Sequence, residues 1–79
     1  MTTRSILDEV AAERTRQDEK WGGAVNDDEY TPLDWHEMIA DYNAWARRMG
    51  AMHSPEKARR RYVQIAALAV AAIEALDRR

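Results

Sequence analysis

The sequence predicts an all-α protein: a three-helix, up-down-up antiparallel bundle with a long buried C-terminal helix, completed by oligomerisation. Three observations predict it. Residues 63–73, VQIAALAVAAI, form a charge-free run whose one polar residue is Gln64, in a chain where 33% of residues are charged. Two helix-start signals, Thr31-Pro32 and Ser54-Pro55, each precede a segment with helical spacing of apolar residues. The Gly22-Gly23 pair and Gly50 supply the stops between segments.

The first predicted helix covers residues 6–20. Ser5 stands as its cap with Asp8 three residues on, and the glycine pair ends it. Its apolar positions, Ile6, Leu7, Val10 and Ala11, lie in the first half. The second half, ERTRQDEKW, is charged at nearly every position until Trp21. A helix that buries its first two turns and leaves the last two polar is frayed there or lines something. Residues 22–31, GGAVNDDEYT, lack periodicity and carry turn formers, so they read as a connecting loop, longer than the usual link between bundle helices.

The second helix covers 32–49, with Thr31 as cap, Pro32 at its first position and Asp34 at its third. Trp35, Ile39, Tyr42, Ala46 and Met49 form its core stripe, with Met38 and Trp45 one step round. The third covers 55–77, roughly 33 Å of helix at 1.5 Å per residue. Tyr62, Ile65, Ala69, Ala72 and Leu76 make one seam of it. Val63, Ala66, Ala67, Val70 and Ile73 fill the neighbouring faces, so its middle turns are apolar nearly all round. The first two helices offer too little apolar surface to cover that rod, which predicts a homodimer or higher homo-oligomer through the third helix.

Seventy-nine residues allow a single domain over 1–79 and a modest core. The chain has no cysteine, which removes disulfides and thiolate zinc sites and is compatible with a reducing cytoplasm, the expected location. The apolar run is about half the roughly 20 residues of a membrane span, so no membrane partner is expected. A net charge of −2 argues against nucleic acid as a partner, because backbone binding needs surplus Lys and Arg. His36 and His53 have no partner at zinc-ligand spacing, and no triad or glycine-rich phosphate loop is present.

The up-down-up order brings the end of the first helix, the loop, the start of the second helix and the end of the third to one pole of mixed charge. Trp21 and Tyr30 flank its loop. An aromatic plane beside Arg14 and Lys20 suits a stacked base with a phosphate tail, with Gln17 and Asp28 in reach, whereas the plain reading makes Trp21 a plug at the end of the core. Asp34, Glu37 and Asp41 share a face of the second helix, and Glu74 with Asp77 adds an ExxD pair. Converging carboxylates could hold Mg²⁺, and the plain reading is a solvated acidic face. The opposite pole gathers Arg47, Arg48, Lys57, Arg59, Arg60 and Arg61, which read as a solvated charge run.

The stretches ERTRQDEKWGG, NDDEYTPLDW and RRYVQIAALAVAAIEALDRR resemble small phage and prophage helical proteins. More distantly they resemble the MazG-like branch of the all-α nucleoside triphosphate pyrophosphatases, over about residues 8–79. That resemblance implies a helical dimer or tetramer in which a Glu pair on one helix and an ExxD motif on the next bind Mg²⁺ for cleavage between the α- and β-phosphates. Position by position, the Glu pair falls near Asp41 and Tyr42, leaving one carboxylate, and the ExxD falls on Arg61 and Gln64, leaving none. Glu74 and Asp77 restore that spacing more than three turns further along.

The function expected is therefore a phage-type, non-catalytic protein that binds a nucleotide-like phosphorylated ligand through Arg14, Gln17, Lys20, Trp21, Asp28 and Tyr30, and sequesters it in the host. One alternative is an inhibitor of a host defence protein, acting through a patch of Trp45, Met49 and Met52. The other is a divergent Mg²⁺-dependent pyrophosphohydrolase using Asp34, Glu37, Asp41, Glu74 and Asp77.

Overall fold

The structure, a computed structural model, describes residues 2–51 and 54–79. Every regular element among them is helical: α1 (Thr3–Trp21), α2 (Gly23–Asp27), α3 (Pro32–Ala46), a π-helical turn (Arg47–Ala51) and α4 (Pro55–Asp77). None of these helices is long and apolar enough to cross a membrane.

Helix α1 starts earlier than the sequence suggests. Thr2, not Ser5, is the cap: its hydroxyl accepts the Ser5 N–H at 3.1 Å, and the Ser5 hydroxyl accepts the Thr2 N–H at 3.1 Å. This reciprocal box satisfies two of the N–H groups that a helix start leaves open, so the helix gains a turn at its front. At the other end Gly22 adopts φ 97° and its N–H bonds to the Asp18 carbonyl at 2.9 Å, the left-handed stop that glycine permits.

The expected loop contains a helix. Gly23 follows Gly22 with φ 67°, and the chain turns straight into the five-residue α2. Five residues are too few for apolar periodicity to register, so only turn chemistry was visible there. Helix α3 begins as expected, with Thr31 and Asp34 forming a capping box at 3.2 and 2.9 Å around Pro32. Its α-helical part ends at Ala46 rather than Met49, where the wider π turn takes over. That change of pitch rotates Met49 off the core stripe, and it is 39% exposed. Helix α4 matches its expected bounds, capped by the Ser54 hydroxyl.

Helices α1 and α3 both pack on α4. The buried face of α4 is not the expected seam. It consists of Ala58, Ala67, Leu68, Ala71, Ala72 and Ala75, whereas Tyr62 and Leu76 are 56% and 42% exposed. The cause is size matching: small side chains on α4 make room for the large rings of α3. Trp35 packs with Leu68, Ala71, Ala72 and Ala75, and half-buried Trp21, Tyr30, Met38, Ile39 and Tyr42 close around them.

Leu68 is the largest apolar side chain wholly within this core, at 1% exposure. Leu68→Ala should lower stability by about 2–5 kcal/mol, because the rigid rings around it cannot collapse into the space left. Urea denaturation followed by circular dichroism measures it.

Candidate ligand-binding site

The polar second half of α1 does not fray; it lines a cavity of about 220 Å³ between α1, α2, α3 and α4. Helix α1 contributes Arg14, Gln17, Asp18 and Trp21. Asp27 comes from α2 and Tyr30 from the link that follows. Trp35, Met38 and Tyr42 come from α3, and Leu68 and Ala71 form the floor on α4. The spacing 35–38–42 is one face of α3, so its rings enter together. Tyr30 meets Trp35 edge to face, with centroids 5.1 Å apart at 75°.

Two polar atoms on this lining are left unmatched. Gln17 is 2% exposed; its Nε2 donates to Glu13 Oε2 at 3.1 Å and to the Gln64 carbonyl at 3.5 Å, while its Oε1 accepts nothing. Trp35 is 4% exposed, and its indole N–H has no acceptor. A buried polar group without a partner loses roughly 1–3 kcal/mol of hydrogen bonding. One acceptor and one donor therefore lie unmatched, covered by their neighbours, on residues that also form the aromatic walls.

The charge at the site runs against the sequence reading. Arg14 binds Asp18 at 2.7 Å and Glu74 at 3.1 Å, and lies 3.8 Å from Asp27. One guanidinium thus faces three carboxylates, a local excess of negative charge. Burial pushes the Asp27 carboxyl above its ordinary value of 3.8, and the nearby Arg14 offsets this only in part. Arg14 works here as a clamp that joins α1 to α4 and reaches towards α2.

Of the six ligand residues expected from sequence, Arg14, Gln17, Trp21 and Tyr30 line the cavity. Lys20 and Asp28 do not. Lys20 is exposed, with its Nζ 5.5 Å from the centroid of the Trp21 ring, and Asp28 holds Arg78 at 2.6 Å. The five carboxylates expected to hold Mg²⁺ are not gathered: among the described residues no group of three or more His, Cys, Asp or Glu is placed to hold a metal ion. Asp34 caps α3 through the Thr31 N–H, Glu74 is taken by Arg14, and Glu37, Asp41 and Asp77 are exposed. The physical reason is rotational. The carboxylate face of α3 sits a step round from its cavity face, so Trp35, Met38 and Tyr42 reach α4 and the acids do not.

Sequence reasoning missed Asp18, Asp27, Met38 and the cavity role of Trp35 and Tyr42. The i, i+4 spacing of Arg14 and Asp18 was the one available signal for the clamp. At the basic pole Arg59 pairs with Glu9 at 2.6 Å, and the Arg61 guanidinium lies 5.8 Å from the Tyr42 ring centroid and 5.3 Å from that of Trp45. In the expected host-binding patch, Trp45 and Met49 are about 40% exposed, and Met52 lies outside the described residues.

Comparison of the chain with protein-family models, with curated proteins and with solved structures finds no match.

The raised Asp27 carboxyl fixes the sign of a pH effect. The native state holds this proton more tightly than the unfolded chain, so the stability that Asp27 contributes is complete below about 3.8 and is lost as pH rises through its native pKa. Asp27→Asn removes that loss. Its stability relative to the unsubstituted protein should therefore rise between about pH 3 and pH 7, as read by urea denaturation across that range.

Proposed function

We propose that the protein binds a small molecule whose flat, nitrogen-containing ring, of nucleobase type, enters the cavity, and that it holds this ligand without turning it over. The observation that carries the reading is the pair of orphaned atoms, Gln17 Oε1 and Trp35 Nε1, on residues lining one aromatic-walled space. A ring bearing an N–H and a ring nitrogen or carbonyl would satisfy both once the Gln17 and Trp35 side chains turn to present these covered atoms to the cavity. The volume supports a ring and little more, since about 220 Å³ is below the roughly 300–1,000 Å³ of pockets for drug-sized ligands.

The carboxylates around Arg14 revise the part of the ligand that the site favours. A phosphate inside the cavity would meet a guanidinium already neutralised by Asp18 and Glu74 and would be repelled by Asp27. The phosphate of a nucleotide belongs at the rim, where Lys20 stands beside Trp21. Ring recognition is therefore primary and phosphate recognition secondary. Retention of a metabolite in an infected cell is the biological role that goes with such a site, and it rests on the resemblance to phage proteins.

A thermal-shift series with free bases, nucleosides and nucleotides tests this. At least one base or nucleoside should raise Tm in a concentration-dependent way, since ligand at 100 times Kd stabilises by about 2.7 kcal/mol. The matching nucleotide should do no better than its nucleoside at physiological salt. Trp35→Phe keeps an aromatic ring but removes the N–H, so it should abolish the shift while leaving the helical circular dichroism unchanged. Absence of stabilisation by every base, nucleoside and nucleotide at high excess would refute the reading.

A further inference from the structure

Helix α4 presents a second apolar seam on the side away from the cavity. Tyr62, Ala66, Ala69, Ile73 and Leu76 follow one another at spacings of four, three, four and three, the a/d alternation of a two-helix coil. None of the five is buried: Ile73 is 58% exposed, Tyr62 56% and Leu76 42%. Val70 flanks the seam at 39%, and Ile6 and Leu7 of α1 lie exposed as well, at 40% and 57%. The seam runs about 21 Å along the helix.

We infer that this seam is the contact surface for a second copy of the chain, packed antiparallel about a two-fold axis near Ala69. Three features select that occupant and that direction. Among the described residues the buried apolar set contains six alanines and only Val10, Trp35 and Leu68 of larger size, so the subunit's own core buries little area and a partner is the usual remedy. The seam matches itself when reversed: Ala66 comes opposite Ile73, small against large, Ala69 comes opposite itself so that the helices come close at the centre, and Tyr62 meets Leu76 as the large pair at each end.

The groove lined by Ile6, Arg59, Tyr62, Val63 and Ala66, about 220 Å³, lies where the reversed helix delivers Leu76 of the partner subunit, a knob with a waiting hole. The proposal is independent of the ligand reading, because the seam and the cavity use different faces of α4.

Sedimentation equilibrium of the full chain at micromolar concentration should return twice the 9.1 kDa subunit mass. Ile73→Glu should return the single-subunit mass with helical circular dichroism retained. Because the natural sequence has no cysteine, an introduced thiol reports geometry even if Ile73→Glu fails to fold. Ala69→Cys should form a cross-subunit disulfide under mild oxidation, and Tyr62→Cys should not. A single-subunit mass for the unsubstituted chain overturns the inference, as does a larger assembly that Ile73→Glu leaves intact or disulfide formation by Tyr62→Cys as fast as by Ala69→Cys.

Discussion

The alanine-lined face of α4 is the constraint on which the rest of the structure depends. Ala67, Ala71, Ala72 and Ala75 give that face almost no relief, and Leu68 is its one projection. A smooth surface of this kind lets α1 and α3 lie against the helix, but it cannot fill the space between them. The filling comes from α3, whose Trp35 and Tyr42 are large, and from the far half of α1, whose side chains are long and polar. Aromatic walls on one side and amide, carboxylate and guanidinium groups on the other do not close-pack as aliphatic side chains do. The cavity is what this mismatch leaves.

Arg14 keeps that polar wall in place. Its bonds reach Asp18 one turn along its own helix and Glu74 sixty residues away, and Asp27 is close enough to feel its charge. A part-buried guanidinium with several carboxylate partners is a rigid strut, whereas an ion pair exposed on both sides, such as Arg59 with Glu9, contributes little to the fold. Anchoring Glu74 fixes the last turn of α4, and Arg78 and Arg79 then reach Asp28 and the Tyr30 carbonyl, tying down the link before α3. The electrostatics that position the site also determine which charges it accepts.

Much of this architecture is legible in the sequence wherever a local chemical signal decides the outcome. Thr31-Pro32 and Ser54-Pro55 mark helix starts correctly because a capping hydroxyl and a proline leave the backbone few alternatives. The polar half of α1 is visible as a lining: its Arg14, Gln17 and Trp21, with Tyr30 beside them, do line the cavity. What the sequence does not carry is rotation. Apolar residues on every side of α4 leave periodicity unable to say which seam faces inward, and that is decided by the fit of Trp35 against Ala71 and Ala75. The same ambiguity on α3 made Asp34, Glu37 and Asp41 look convergent. Asp27 was hidden because an aspartate in a glycine-rich stretch reads as a turn, and only the fold shows it buried beside Arg14.

Trp35 has one more consequence. Its indole is shielded from water on nearly all sides, touches the ring of Tyr30 and keeps an unused N–H. Emission from such a chromophore depends on whatever dipole sits next to it. The molecule therefore carries its own optical gauge, and anything that displaces solvent from the hollow will change the colour of the light it gives off.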